Sequence, residues 1–205
     1  MPEIRTFTCP RCWGTGTDPV EGPEHLLVCI VCGGTGQAAD RQVSENFALS
    51  EMIRAHDGEP NWPAPEALER VLRWPSELGE PMRAIVGPLR VTSGYRSQHL
   101  DWLADARNPR WLHEYSGHSW GGTCDVAPLA EGLSLLDVLQ AGMQCPAWDQ
   151  LIIEGGCVHA ALLCPQSNAQ RRQVLLRCRA PEGSALAWLY ETYNPSDPTQ
   201  LERCA

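Results

Sequence analysis

One eight-residue pattern occurs twice in the first forty positions and limits what this end of the chain can become. Cys9-Pro10-Arg11-Cys12-Trp13-Gly14-Thr15-Gly16 and Cys29-Ile30-Val31-Cys32-Gly33-Gly34-Thr35-Gly36 both read Cys-x-x-Cys-x-Gly-x-Gly. A Cys-x-x-Cys turn aims two sulfurs at one point, and glycines just beyond it let backbone amides approach sulfur without a Cβ in the way. Two such turns complete a closed tetrahedral set of four thiolates, the ligand set of a structural zinc. A piece this small cannot bury a core, so the metal would supply its folding energy. A redox pair of the thioredoxin kind would need a βαβ setting, which these glycine-rich turns do not offer.

Residues 1–40 therefore read as a zinc knuckle module and residues 41–205 as a second domain, with the polar run Gln37 to Asn46 as linker. The chain is 43% hydrophobic, enough for a core in that second part. A net charge of -9 without a basic stripe argues against nucleic acid as a main partner. No stretch approaches the roughly 20 apolar residues of a membrane span. Met1-Pro2-Glu3-Ile4-Arg5 lacks the basic start and apolar run of a signal peptide, so synthesis in the cytoplasm is expected. Ten cysteines in that setting point to metal ligation before disulfides. The six outside the repeat (Cys124, Cys145, Cys157, Cys164, Cys178 and Cys204) read as reduced core or surface thiols. Arg171, Arg172, Arg177 and Arg179 form the one basic cluster and read as a solvated strand edge.

Coarse periodicity fills in the second domain. Ser50 reads as the N-cap of a short helix. Pro63-Ala64-Pro65 opens a longer one with Leu68, Val71, Leu72, Leu78, Met82 and Ile85 on one face, broken or kinked at Pro75. Residues 89–93 read as a strand and 97–107 as a helix. Ser134 with Asp137 resembles a capping box for a helix ending near Gly142. Short apolar runs at 149–153, 158–163 and 174–178 read as strands, and a short helix is expected around Ala185 to Tyr190. Helices gathered before and between strands give an α+β fold.

His118 and Asp125 lie seven positions apart, and His159 follows Glu154 in the later run Glu154-Gly155-Gly156-Cys157-Val158-His159. Two imidazoles and a carboxylate suit a catalytic zinc with one position open. Asp125 lies on a predicted strand beside Val126 and Ala127, where an unpaired charge is costly to bury. A nearby carboxylate that is not a ligand can accept a proton from water. Glu154 is the first candidate for that base. Asp149 is the second, though a carboxylate at a strand start also orients ligands. His99 and His113 lie near these motifs. His25 lies between the knuckle pairs, and His56 has no evident partner.

The order Ser-x-His, six residues, Asp, then Glu shortly before Val-His resembles the zinc peptidases of the D-Ala-D-Ala carboxypeptidase and endolysin family, which cut peptidoglycan stem peptides. Leu89-Arg90-Val91-Thr92-Ser93-Gly94-Tyr95-Arg96-Ser97 is similar to that family's "VTSGYRS" signature. Arg171-Arg172-Gln173-Val174-Leu175 is similar to the run after the last zinc histidine, and Phe47-Ala48-Leu49-Ser50-Glu51-Met52 resembles the opening of the phage-type branch. The resemblance spans roughly residues 45 to 178. It implies a small antiparallel sheet carrying the catalytic zinc on one face, with His118, Asp125 and His159 as ligands. It also implies Arg96 at the scissile carbonyl or its oxyanion, and Ser116 as a substrate contact.

The activity implied is zinc-dependent hydrolysis of peptide bonds in peptidoglycan, as a murein endopeptidase. Carboxypeptidase action on D-Ala-D-Ala, or a non-catalytic adaptor binding wall or protein, are the alternatives. A phage or prophage origin, with action on the wall after release, goes with it. Three departures stand out. In several branches the catalytic acid lies three residues before the last histidine, where this chain has Gly156; Thr123 replaces a usual alanine, and Cys157 a usual tryptophan. The knuckle resembles half of the DnaJ-type cysteine-rich domain. No J-domain signature precedes it, which leaves docking to a protein partner or capping of the N-terminus as its role.

Overall fold

The computed structural model describes residues 5–17, 29, 31–54, 60–105, 116–162, 170–182, 184, 188–197 and 199–204. At the N-terminal end β1 (Thr6–Thr8) pairs antiparallel with β2 (Gln37–Ala39), joining the entry and exit of the cysteine repeat. The two turns match bond for bond. Cys9 N donates to Gly36 O at 2.9 Å, and Cys29 N to Gly16 O at 2.8 Å. Thr15 Oγ1 donates to Cys12 O and Thr35 Oγ1 to Cys32 O, both at 2.8 Å. A Cβ on Gly16 would overlap the Gly34 carbonyl oxygen, and one on Gly36 would overlap that of Gly14. Each turn thus lies flush on the backbone of the other, as only glycine permits.

A larger sheet holds six strands: β3 (Leu89–Ser93), β4 (Thr123–Pro128), β5 (Trp148–Glu154), β6 (Cys157–Leu162), β7 (Gln173–Arg179) and β8 (Trp188–Thr192). Their order is β3-β4-β6-β5-β7-β8. The β5–β7 pair is parallel and the others antiparallel, so the α+β expectation holds while this sheet is mixed. Val126, Val158, Ala160, Leu151 and Ile153 belong to one buried core, which also takes in the helices α1 (Leu49–Met52), α2 (Pro65–Trp74), α3 (Glu80–Val86) and α5 (Leu135–Gln144). Strand residues alternate between faces, so Asp125 and His159 fall on the opposite face from that core. Trp74 ties the layers together, with Nε1 donating to Ala160 O at 2.8 Å.

Several expectations need correction. Pro75 interrupts the long helix as expected but does not end it: α2 stops at Trp74, Pro75–Gly79 forms a π-helical turn, and α3 continues from it. Proline has no N–H to lose there, and the wider turn shifts the apolar stripe, so Val86 is buried and Ile85 is 49% exposed. Ser50 is not the cap of α1. Ala48 occupies that position with its N–H donating to Glu51 Oε2, while Ser50 bonds Asp40 through N and Oγ. The stretch expected as a helix up to Tyr190 instead enters β8, in register with β7; Ala185 itself lies outside the described residues. Cys178 and Cys204 are not reduced thiols but a disulfide, which fastens α6 (Thr199–Cys204) to β7. Cys124 and Cys145 are buried free thiols as expected, and Cys164 lies outside the described residues. The helix expected over 97–107 is α4 (Gln98–Asp105).

Candidate metal centres

The four knuckle sulfurs are buried and unbridged. Cys9 Sγ lies 3.8 Å from Cys29 Sγ, and Cys12 Sγ 3.7 Å from Cys32 Sγ. Zinc–sulfur bonds of about 2.3 Å at tetrahedral angles place sulfurs about 3.8 Å apart. The spacing fits a metal and is too long for a disulfide. Gly16 N donates to Cys12 Sγ at 3.3 Å, the amide-to-sulfur contact that the glycine pattern allows. Burial pushes the Cys9 thiol up to about 12. At Cys32 burial acts the same way, but backbone N–H groups of Gly36 and Gly34 and the Cys12 thiol outweigh it and hold the group at about 7. A metal bound by these four sulfurs would displace thiol protons, so its affinity would rise with pH.

The second cluster is built across two strands. Asp125 on β4 stands directly opposite His159 on β6. His118 arrives from the turn before β4. Asp125 Oδ1 lies 3.2 Å from His118 Nε2 and 3.0 Å from His159 Nδ1, and the two ring nitrogens are 3.3 Å apart. Bonds of about 2.0–2.1 Å at tetrahedral angles give edges of about 3.3 Å. All three edges therefore match a zinc-sized site with one position left for a fourth ligand. All three side chains are buried. Burial alone would raise the Asp125 carboxyl, yet the two histidines hold it well below the usual carboxylate range.

The His118 turn is fixed from several sides. Its Nδ1 donates to Gly94 O at 2.7 Å, which sets the tautomer and leaves the Nε2 lone pair for a metal. Arg70 on α2 donates through Nε to Trp120 O at 2.5 Å and stacks on that ring. A Cβ on Gly117 would overlap Thr123 Oγ1, so Thr123 packs where only glycine fits. Ser116 belongs to the same turn: its Oγ accepts from Ser119 N at 3.4 Å and its carbonyl from Ser119 Oγ at 3.1 Å. Its hydroxyl caps this turn.

Glu154 closes β5, and a two-residue Gly155-Gly156 turn, both φ positive, sets it across from Cys157. Its Oε1 lies 3.7 Å from His159 Nδ1. Its Oε2 is held by Arg177 Nη1 at 3.2 Å and by the Tyr190 hydroxyl at 3.3 Å. Arg177 in turn lies over the Trp188 ring, 4.9 Å from its centre. Cys157 is half-buried, and burial followed by the charges of Asp125 and Glu154 pushes its thiol up to about 12, which keeps it protonated beside the site.

Asp149 lies at the other end of β5. Fully buried, it accepts from Arg171 N at 2.6 Å and Nε at 2.7 Å, with Nη2 at 2.5 Å. Arg96 Nε lies 3.4 Å from Asp101 Oδ1, close enough for charge attraction but without hydrogen-bond geometry. His99 lies exposed on α4, outside the cluster, while His25, His56 and His113 lie outside the described residues.

Sequence reasoning missed the partners of these groups. Arg171, Arg172 and Arg177 are not a merely solvated edge: Arg171 braces Asp149, Arg172 caps Cys145 O and Pro146 O, and Arg177 holds Glu154. A Gly-Gly pair between two apolar runs signals a tight hairpin and could have placed Glu154 near His159. Comparison with protein-family models, curated proteins and solved structures finds no match to this chain.

Proposed function

We propose that this chain is a zinc-dependent peptidase that hydrolyses a peptide bond in peptidoglycan, with the four-cysteine knuckle as a structural zinc site. The observation that carries the reading is the set of three ligand atoms at 3.0, 3.2 and 3.3 Å with a non-ligating carboxylate 3.7 Å from one of them. A zinc ion held there would act as a Lewis acid and lower the pKa of a bound water to near neutrality.

The chain's own groups do the rest. His118 is locked by Gly94 O, so its Nε2 stays aimed at the centre. Glu154 is pinned through Oε2 and keeps Oε1 on the side of His159. It takes a proton from the attacking water and passes it to the leaving amine. Arg96, two residues beyond Gly94, is the candidate cation for the developing oxyanion, with its Nε beside Asp101. The substrate class rests on the sequence resemblance over roughly residues 45 to 178, motif by motif. That resemblance also supports phage-type action on the wall after release.

The test is digestion of purified peptidoglycan by the zinc-loaded protein, with fragments weighed by mass spectrometry. Wild type is expected to release peptides with new amino and carboxyl ends. Glu154→Gln keeps its zinc but slows release by about 10²- to 10⁴-fold. An unaltered wall with fully loaded wild type would overturn the substrate assignment, and a Glu154→Gln protein as fast as wild type would remove Glu154 as the base.

A further inference from the structure

Asn61 is fully buried, and its backbone N–H and both polar atoms of its side chain are spent on neighbours. Its Nδ2 donates to Tyr95 O at 2.7 Å and to Arg54 O at 3.0 Å, and its Oδ1 accepts from Ser97 N at 2.7 Å. Its backbone N–H donates to Pro10 O at 2.5 Å. Pro10 lies inside the first Cys-x-x-Cys turn, between two of the four thiolates. Tyr95 and Ser97 belong to the turn that begins at Gly94, whose carbonyl fixes the His118 ring. That turn cannot drift on its other side: Tyr95 N donates to Met52 O at 2.7 Å, and a Cβ on Gly94 would overlap the same oxygen. Phe7 adds an apolar contact, packing against both the knuckle cluster and the main core.

We infer that Asn61 is a positioning residue that couples the four-cysteine site to the His118–Asp125–His159 site. The chain of cause runs through named bonds. Metal sets the shape of the Cys9–Cys12 turn. The turn sets Pro10 O, which anchors Asn61, and the Asn61 amide holds the 94–97 turn whose Gly94 carbonyl orients His118. Groups behind a ligand histidine typically change metal affinity by about 10- to 100-fold when lost. Coupling of this kind is reciprocal, so each metal strengthens the other's site. The knuckle then serves as a metal-set brace for the second site. This inference rests on the reading of the three-ligand cluster as a metal site.

Cobalt titration of the full metal-free chain tests it, followed by visible absorption. Four thiolates give cobalt intense sulfur-to-metal charge-transfer bands, which a two-histidine, one-carboxylate site lacks, so the two sites report separately. Asn61→Asp keeps the size and the acceptor for Ser97 N but loses the donor to Tyr95 O. It is expected to weaken cobalt at the three-ligand site by about tenfold, with the thiolate bands intact. Val86→Ala, in the core of α3 and away from this relay, is the control for stability: it lowers the melting temperature and leaves cobalt affinity unchanged. Cys12→Ser acts on the relay from its other end and is expected to weaken the same site, which keeps the claim testable if Asn61→Asp does not fold. Wild-type affinity in either relay variant, or equal weakening in Val86→Ala, overturns the coupling. A wild-type protein with no second cobalt component overturns the site reading instead.

Discussion

Asp149 at the start of β5 gives both carboxylate oxygens to Arg171, whereas Glu154 at its end gives one to Arg177 and Tyr190 and turns the other toward His159. The two acids look alike in sequence, each next to an apolar run, and nothing there says which cation each will meet. Arg177 lies on β7 and Arg171 just before it, so their pairings exist only once β7 lies beside β5. Asp149→Asn is therefore predicted to cost stability and spare the metal site. Hydrogen bonds to a charged group are worth about 1.5–3 kcal/mol, and the low end applies because Arg171 is half-exposed and screened. The melting temperature should fall by several degrees while zinc per chain stays unchanged. Loss of zinc with an unchanged melt would return Asp149 to the metal site. The grouping of His118, Asp125 and His159 was legible from their residue types and the order of the motifs around them, and the fold brings the three together. Ser116 and Arg96 were less so, since a turn-capping hydroxyl and a side chain beside Asp101 carry no signal in spacing.

At the scale of elements, what could be read was what is local. The Ser134–Asp137 box forms as expected, with Ser134 Oγ accepting from Asp137 N; the apolar run at 149–153 falls in β5, and that at 158–163 falls in β6 as far as Leu162, residue 163 lying outside the described residues. What could not be read depends on a partner elsewhere in the chain: the strand β8 that pairs with β7, and the Cys178–Cys204 link. The knuckle is local and repeated, and its glycines allow a sharp contrast. Gly36→Ala is predicted to abolish the tightly held zinc, because its Cβ would overlap Gly14 O and its φ is +73°. Gly33→Ala meets nothing within 4 Å and bears only the strain of a φ of +60°, about 1–2 kcal/mol. Zinc retention after dialysis against a mild chelator distinguishes them. Equal retention by both variants would mean that the two turns are not in close contact.

Across the whole molecule, three groups of side chains among the described residues have the spacing to hold a metal ion; one of them contains the Cys178–Cys204 disulfide, which leaves the four thiols and the His118–Asp125–His159 set in one fold. Among the described residues, no helix is long and apolar enough to cross a membrane. The bridge between the clusters, Asn61, could not be found in the sequence: an isolated asparagine between a proline and a tryptophan reads as a loop residue, and three of its four partners, Pro10, Tyr95 and Ser97, come from two distant segments. The most direct measurement is zinc per folded chain, counted before and after a brief exposure to chelator. Two equivalents are predicted in wild type, one of them lost quickly because its site keeps an open position. His118→Ala should hold one equivalent, resistant to chelator. Replacing Cys9, Cys12, Cys29 and Cys32 should remove that resistant zinc. A wild type with a single zinc that survives loss of all four cysteines, or a His118→Ala protein that still holds two, would contradict the account.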